Sequence, residues 1–391
     1  MKMRLKTNIY SLAFGGNGIG KVDGKVCFVS GALPGEEVIF DVTRDTSRYT
    51  EGVVNEVLTP SADRVTPRCR HYPACGGCQI QHLSYEKELF HKKEQLIQLV
   101  RRIAGKKEFS CGDITASDNC YGYRSSVTLH RKGGEYGYYR AGSHTVIKID
   151  ECPVVEEALN GEIALLAGGA GRDDITLKAD RDGRVYSSER AGDRFFLDRY
   201  RGRDIYFSPK AFSQANRYIA EKIAETLEEW IGPVAEDTAF FDIYCGIGFF
   251  SFLLNRDFAA RVGVDSNRVA IACAKTTAGN AGTRNEKFYK GDAEKVFFDI
   301  FVRNKRSKNI FFVNPPRTGV DRGFLEKIKA CREADVVYYL SCDPATLARD
   351  IKVLADSGEW ILGRVAPFDM FPRTGHIEVL AEFVRDKGQV S

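Results

Sequence analysis

From about residue 205 onward, short apolar runs alternate with amphipathic stretches, and no other feature constrains the fold as strongly. "TAFFDIYCGIGFFSFLL" is an apolar run, a glycine turn and a helix start. "ARVGVDSNRVAIACAKTTAGNAG" is a second run that ends in Asp265 and leads into a helix, and "NIFFVNPPRTG", "DVVYYLSCDP" and "HIEVLAEF" supply further runs. Continuous apolar runs suit strands buried on both faces, so the pattern predicts a doubly wound sheet with its ligand at the strand ends. Gly246 and Gly248 would let the backbone approach that ligand, and Asp265 would accept hydrogen bonds from ribose hydroxyls. A full G-x-G-x-x-G is missing. This favours S-adenosylmethionine, which has an adenosine but no pyrophosphate, over a dinucleotide.

"YYLSCDPATLARD" puts Cys342 directly after a buried strand, Val336 to Leu340, with Pro344 suited to the first turn of the next helix. A free cysteine is most often a small buried hydrophobe, but this one falls where open α/β sheets hold their ligands. "NPPR" sharpens the choice. Asn-Pro-Pro followed by an aromatic resembles the motif of amino-methyltransferases, yet here Arg317 replaces the aromatic. An amine carries its own lone pair and needs no nucleophile. The C5 carbon of a pyrimidine is inert until a thiolate adds to C6, so Cys342 favours methylation of carbon.

The front of the chain is different. Residues 1–58 hold short β-rich runs, "GKVCFVSGAL" and "EEVIFDVTRD", separated by turn signals that include the Asp-Gly of "VDGK". They predict a small barrel, with a boundary near residue 60 at "TPSADRVTPRC". Cys69, Cys75 and Cys78 then form a C-x5-C-x2-C array around a Gly-Gly turn, which lets thiolates converge on a metal. Cys152, followed by proline, is the best fourth ligand. Cys111 and Cys120 are its rivals, and His71 and His82 also lie within reach in sequence. Spacing allows an iron–sulfur cluster or zinc.

A helix is expected over Ser84 to Ile103, with Leu89, Leu96, Val100 and Ile103 on one stripe and Lys92, Lys93, Arg101 and Arg102 on a solvated face. Residues 121–148 carry five Lys or Arg, Arg124, Arg131 and Lys132 among them, interleaved with five tyrosines. Cations that track phosphates and rings that stack bases suit RNA. The chain as a whole is nearly balanced, 57 basic against 53 acidic residues, so any such surface is local. With no apolar leader or membrane-length run, and eleven cysteines, a cytoplasmic protein off the membrane with reduced thiols is expected.

"CGGCQIQH", "FSQAN", "DIYCGIGFFSF", "NPPRTG", "SCDPATLARD" and "DMFPRTGHIEVL", in this order, resemble the motifs of RNA uracil-5-methyltransferases. The likeness is strongest to the ribosomal-RNA branch, which carries an N-terminal TRAM barrel and a 4Fe–4S cluster. The resemblance implies a multidomain α/β protein: a TRAM or OB-like barrel over 1–60, a cluster-bearing α+β domain over 61–204, and a Rossmann-like methyltransferase domain over 205–391. It implies that Cys342 is the nucleophile and Glu378 the base that takes the C5 proton. Gln214, Tyr244, Asp265 and Asn314 would contact S-adenosylmethionine, and Cys69, Cys75, Cys78 and Cys152 would hold the cluster. The substrate would be 23S ribosomal RNA, with transfer RNA the alternative, and the protein is expected to be a monomer. Asn314 where Asp is usual, Asp343 where Asn is common and the bulky Phe249 depart from the family pattern.

Overall fold

The computed structural model describes residues 3–166 and 174–386. Strands β1 (Arg4–Leu12), β2 (Gly18–Val22), β3 (Lys25–Ser30), β4 (Glu37–Asp45) and β5 (Tyr49–Thr59) close into a barrel in the order β1-β2-β3-β5-β4. Cys27, Val29, Val38 and Phe40 fill its interior. At the β2–β3 hairpin Asp23 and Gly24 both take positive φ, 49° and 79°, as the Asp-Gly pair predicts for a two-residue turn. Buried Glu36 holds the barrel to the chain that follows, accepting from Arg64 Nε at 2.6 Å and from the amides of Leu33 and Ser61.

Helix α1 (Tyr85–Leu99) runs on into a π-helical turn, Val100–Ala104, and then into β6 (Ser110–Cys111). Next come β7 (Ser126–Lys132), β8 (Glu135–Tyr139), β9 (Val146–Lys148), α2 (Glu157–Leu166), β10 (Ile175–Ala179) and β11 (Val185–Ser187). Their strands make one sheet in the order β11-β10-β7-β8-β9, and Leu159 and Ile163 of α2 pack on its Val127 and Leu129. Tyr123 and Tyr136 lie in this same core. The tyrosine-rich stretch expected to face RNA therefore turns part of its aromatic surface inward. A hairpin, β12 (Phe196–Tyr200) and β13 (Arg203–Phe207), leads to the last unit.

That unit alternates without a break: α3 (Arg217–Ile231), β14 (Thr238–Ile243), α4 (Phe249–Leu253), β15 (Ala260–Asp265), α5 (Arg268–Ala281), β16 (Glu286–Lys290), α6 (Ala293–Asn304), β17 (Lys308–Val313), α7 (Arg322–Ala330), β18 (Val336–Ser341), α8 (Pro344–Leu354), β19 (Trp360–Phe368) and β20 (Glu378–Arg385). The sheet order is β16-β15-β14-β17-β18-β20-β19-β6, parallel from β16 to β18 and antiparallel at β20. Strand residues alternate between two apolar layers. Phe241, Ile243, Phe311 and Val313 face one, while Phe240, Ile310 and Phe312 face the other. Burial on both faces is what the continuous apolar runs require. The order reverses between β14 and β17, which opens a crevice at their carboxyl ends. Among the described residues no helix is long and apolar enough to cross a membrane.

The structure corrects one reading of α1. Lys92 is not on a solvated face but only 3% exposed. Its ammonium meets Asp369 Oδ1 at 2.6 Å, Glu88 Oε1 at 2.7 Å and the Phe371 carbonyl at 3.2 Å. The partner lies 277 residues away in sequence, so helical periodicity cannot reveal it. Leu96 and Val100 join the methyltransferase core, and β6 extends its sheet beside β19. A segment early in the chain is thus part of the C-terminal unit.

Burial opposes the charge on Lys92, but Asp369 and Glu88 outweigh it and hold the ammonium above its ordinary range. Lys92→Met would strand two buried carboxyls. We expect a loss of about 3–5 kcal/mol in urea unfolding, the range seen when one partner of a buried ion pair is removed. Lys93→Met, one residue on and paired to exposed Asp113, should leave the unfolding midpoint nearly unchanged. Equal midpoints for the two variants would dismiss the buried knot as a stabilising element.

Candidate active site

The crevice is built from strand ends. Asp265 closes β15, and both its carboxylate oxygens accept backbone amides: Gly246 N at 2.9 Å and Asn267 N at 2.7 Å. Each oxygen keeps a further lone pair, which a ribose hydroxyl could use. Tyr244 takes φ 65°, a conformation bulky residues adopt only under constraint. Its hydroxyl donates to Glu294 Oε1 at 2.8 Å, and burial, then Glu294, pushes that hydroxyl far above its ordinary range. Gly246, at φ 55°, faces open space: a Cβ added there would meet nothing within 4 Å. Gly248 answers to packing instead, since its Cβ would strike the Phe252 ring at 2.7 Å. Asn314, half-buried just past β17, donates its amide to the Ile243 carbonyl at 3.0 Å. Phe249 is buried and packs edge-on against Tyr200. Gln214 is buried in the middle of "FSQAN", while Phe212 two residues earlier stands 70% exposed.

Cys342 and Glu378 come together through strand register. Ser341, the last residue of β18, pairs with Val379 of β20. One step further along this antiparallel ladder puts Cys342 beside Glu378. Residues 36 positions apart thus meet where two inner strands end, at the carboxyl end of β18 and the start of β20. Burial raises the Cys342 thiol to about 11, the Glu378 charge adds to the rise and Arg317 opposes it. Asp343 adds a smaller push in the same direction as Glu378, while its carboxylate serves as the N-cap of α8 and accepts Ala345 N and Thr346 N at 2.9 Å. The sequence departure at Asp343 raises the thiol in the direction that charge alone dictates. Burial raises Glu378 to about 8, opposed by Arg317. Arg317 is exposed and has no ion-pair partner within 4 Å among the described residues, so its charge is free to act on both groups. It is the cation that reasoning from sequence noted without giving it a role.

The four cysteines of the array line one cavity of about 700 Å³, together with Arg124, Tyr138, Tyr139, Arg140 and Arg317. Burial raises Cys75, Cys78 (to about 12) and Cys152 (to about 11), and the neighbouring cysteines push each of these thiols the same way. Their rivals lie elsewhere. Cys120 Sγ accepts from Arg373 at 3.0 Å, and Cys111 sits in β6 at the far edge of the large sheet. His82 pairs with the Tyr72 hydroxyl, and His71 faces Asp150. Among the described residues, no three Cys, His, Asp or Glu side chains close on the single point that one bare ion needs.

A parallel sheet in this order, with a glycine turn and a strand-ending acid at the reversal of strand order, defines a Rossmann-like methyltransferase fold. Residues 199–383 match the family described as tRNA (Uracil-5-)-methyltransferase, and residues 8–54 match the TRAM domain. The 23S rRNA (uracil(1939)-C(5))-methyltransferase RlmD of Vibrio parahaemolyticus is 29% identical over 415 residues, covering 94% of this chain and 93% of its own. An uncharacterised RNA methyltransferase of Thermosynechococcus vestitus is also 29% identical, over 96% of this chain and 97% of its own. The crystal structure of Pyrococcus abyssi tRNA (uracil-54, C5)-methyltransferase in complex with S-adenosyl-L-homocysteine shares the fold with a TM-score of 0.73 at 23% identity, over 97% of this chain and 100% of that one. The match to the RNA uracil-5-methyltransferase family thus spans the C-terminal unit, and relatives named as RNA methyltransferases align over nearly the whole chain.

An acid whose folded pKa is raised loses stability as pH climbs from its unfolded to its folded pKa, and the full loss persists above that window. For Glu378 the cost is absent below about 4.5 and complete above about 8. Glu378→Gln removes the ionisation, so its melting temperature relative to wild type should rise as pH goes from 5 to 8.5. A difference that stays flat across that window would show that Glu378 ionises normally.

Proposed function

We propose that this protein methylates C5 of a uridine in RNA, with 23S ribosomal RNA as the substrate, through a covalent bond between Cys342 and C6 of the base. The observation that carries the reading is the pairing of a half-buried thiol with a buried carboxyl across the β18–β20 ladder, beside the match to this family. The relatives named for 23S rRNA support ribosomal over transfer RNA.

The crevice suits S-adenosylmethionine: there is open space at Gly246, and Asp265 has lone pairs to spare. When bound, the cofactor supplies a methyl group on a positively charged sulfur. Asp265 would hold the ribose, with Tyr244, Gln214 and Asn314 around the rest of the molecule. Cys342 would give up its proton to water and, as a thiolate, bond to C6. The C5–C6 π electrons would move onto C5, which would take the methyl group as the bond holding that group to sulfur breaks. Glu378, as a carboxylate, removes the C5 proton. The C5–H electrons rebuild the double bond and expel the thiolate. Arg317 favours both anions. A carboxyl poised near 8 suits a base that works close to neutral pH.

The same reading assigns a 4Fe–4S cluster to Cys69, Cys75, Cys78 and Cys152. Four half-buried thiols share one cavity, where burial and the neighbouring thiols disfavour the anions of Cys78 and Cys152, and a cationic iron centre reverses that. A cluster bonds each thiolate to its own iron, so the sulfurs need not close on one point as they must for zinc. Protein purified without oxygen should be brown and contain iron with acid-labile sulfide. Colourless protein holding one zinc would sink the assignment.

Cys342→Ala should abolish 5-methyluridine formation while RNA and cofactor still bind. Glu378→Gln should methylate once and then stall, leaving a methylated protein–RNA adduct on a denaturing gel. Incubation with ribosomal and transfer RNA separately identifies the substrate. Normal turnover by Glu378→Gln would refute the base, and an adduct formed by Cys342→Ala would refute the nucleophile.

A further inference from the structure

Lys178, in β10 of the small sheet, is buried to 4% exposure, and neither the catalytic chemistry nor the cysteine cavity uses it. It sits on the opposite face of its strand from Leu177, which belongs to the core of that sheet. Its stem therefore leaves the small sheet and enters the methyltransferase unit. There the ammonium donates to the Ala211 carbonyl and to Ser213 Oγ at 2.7 Å, and lies 6.0 Å from the centre of the Phe207 ring. No carboxylate within 4 Å balances it among the described residues. Burial draws the amine down to about 7, with only the Cys273 thiol of α5 acting the other way.

A buried lysine with no counter-ion is costly, and such groups persist where a specific contact needs them. The contact here is the "AFSQAN" loop. Ala211 and Ser213 flank Phe212, and Gln214 follows directly. The far end of the loop is fixed to the small sheet as well, since Ser125 N and Oγ both donate to the Ala215 carbonyl, at 2.8 and 3.1 Å. Between these two attachments only Phe212 and Gln214 remain to be aimed. One is exposed and the other buried.

We propose that Lys178 is a positioning residue for the cofactor: by gripping Ala211 and Ser213 it sets the loop that presents Gln214 to S-adenosylmethionine. This rests on the reading of Gln214 as a cofactor contact. It makes the small sheet, which supplies the cysteine cavity, a structural part of the cofactor site on the neighbouring unit. Lys178 acts through Gln214 and touches neither the reacting base nor Cys342.

The test measures cofactor and RNA separately. Lys178→Met keeps the apolar stem and removes the donors. It should raise KM for S-adenosylmethionine about tenfold, with kcat within about twofold and the Kd for RNA unchanged. Lys178→Arg, which retains donors, should recover most of the loss. Ser213→Ala removes one of the two contacts and should move KM in the same direction by a smaller factor, which keeps the test decisive if Lys178→Met fails to fold. An unchanged KM in Lys178→Met or, failing that variant, in Ser213→Ala would overturn the proposal. So would equal losses for RNA and cofactor, or no recovery with arginine. Gln214→Ala is the control for the underlying reading. If it binds S-adenosyl-L-homocysteine normally by calorimetry, the cofactor role of Gln214 fails. If Gln214→Ala is impaired but Lys178→Met is not, only the role of Lys178 fails.

Discussion

The contact between Lys92 and Asp369 carries more of this architecture than any other single interaction. Asp369 opens the segment that leads from β19 into β20, and so into Glu378. It also accepts from Tyr85 at 2.8 Å, while Glu88 accepts the amide of Arg373 at 2.8 Å. Arg373 donates to the Leu83 carbonyl and to Cys120, Tyr123 donates to Pro372, and Gln79 accepts from Gly375. Gly375 in turn leaves no room for a side chain, because its Cβ would lie 2.6 Å from the Cα of Gly15 in the barrel. Barrel, cysteine segment, helix α1 and small sheet all touch the same seven residues. An internal charge is expensive to bury, and it is kept here where four parts of the chain must agree on one geometry.

That geometry is delivered to the site by a ladder. In an antiparallel pair, a shift of one residue turns every side chain to the opposite face. Ser341 opposite Val379 is therefore the register on which the Cys342–Glu378 pairing depends. The loop knotted to Lys92 fixes where β20 begins, and β18 is held from its other side by β17. The irregularity in the β19–β20 ladder between Leu362 and Val365 lies away from Glu378, whose partner in β19 is Phe368. The bulge is absorbed away from the Cys342–Glu378 pair.

Much of this could be read from the sequence, for identifiable reasons. The parallel strands carry their burial in their own composition, as β14 and β17 do, and the Asp-Gly hairpin states its turn type in two letters. Cys342 was legible because strand, cysteine and Pro-initiated helix are consecutive. Lys92 was not, since a lysine on a helix reads as solvated unless its distant carboxylate is known. The barrel-to-loop contact at Gly375 and the addition of β6 to the large sheet were hidden for the same reason. Tyr123 and Tyr136 misled because an aromatic beside a basic residue looks alike whether its ring turns inward or outward. Arg317 was visible as a letter in "NPPR", but its pull on both Cys342 and Glu378 is a fact of three dimensions.

Desolvation works in two directions at this site. It raises the Glu378 carboxyl to about 8, and it makes the Cys342 thiolate scarce. Both effects cost the fold stability, because neither ionised form is welcome in a dry site. A single Rossmann sheet could relax by letting water in at the β18–β20 end. Here Asp369, Phe371 and Arg373 are held to α1, and Gly375 is pressed against the barrel, so the segment before Glu378 has little freedom to open. The N-terminal units therefore bear on the surroundings of Glu378 itself. By closing over the loop they keep the carboxyl dry, and dryness is what tunes it.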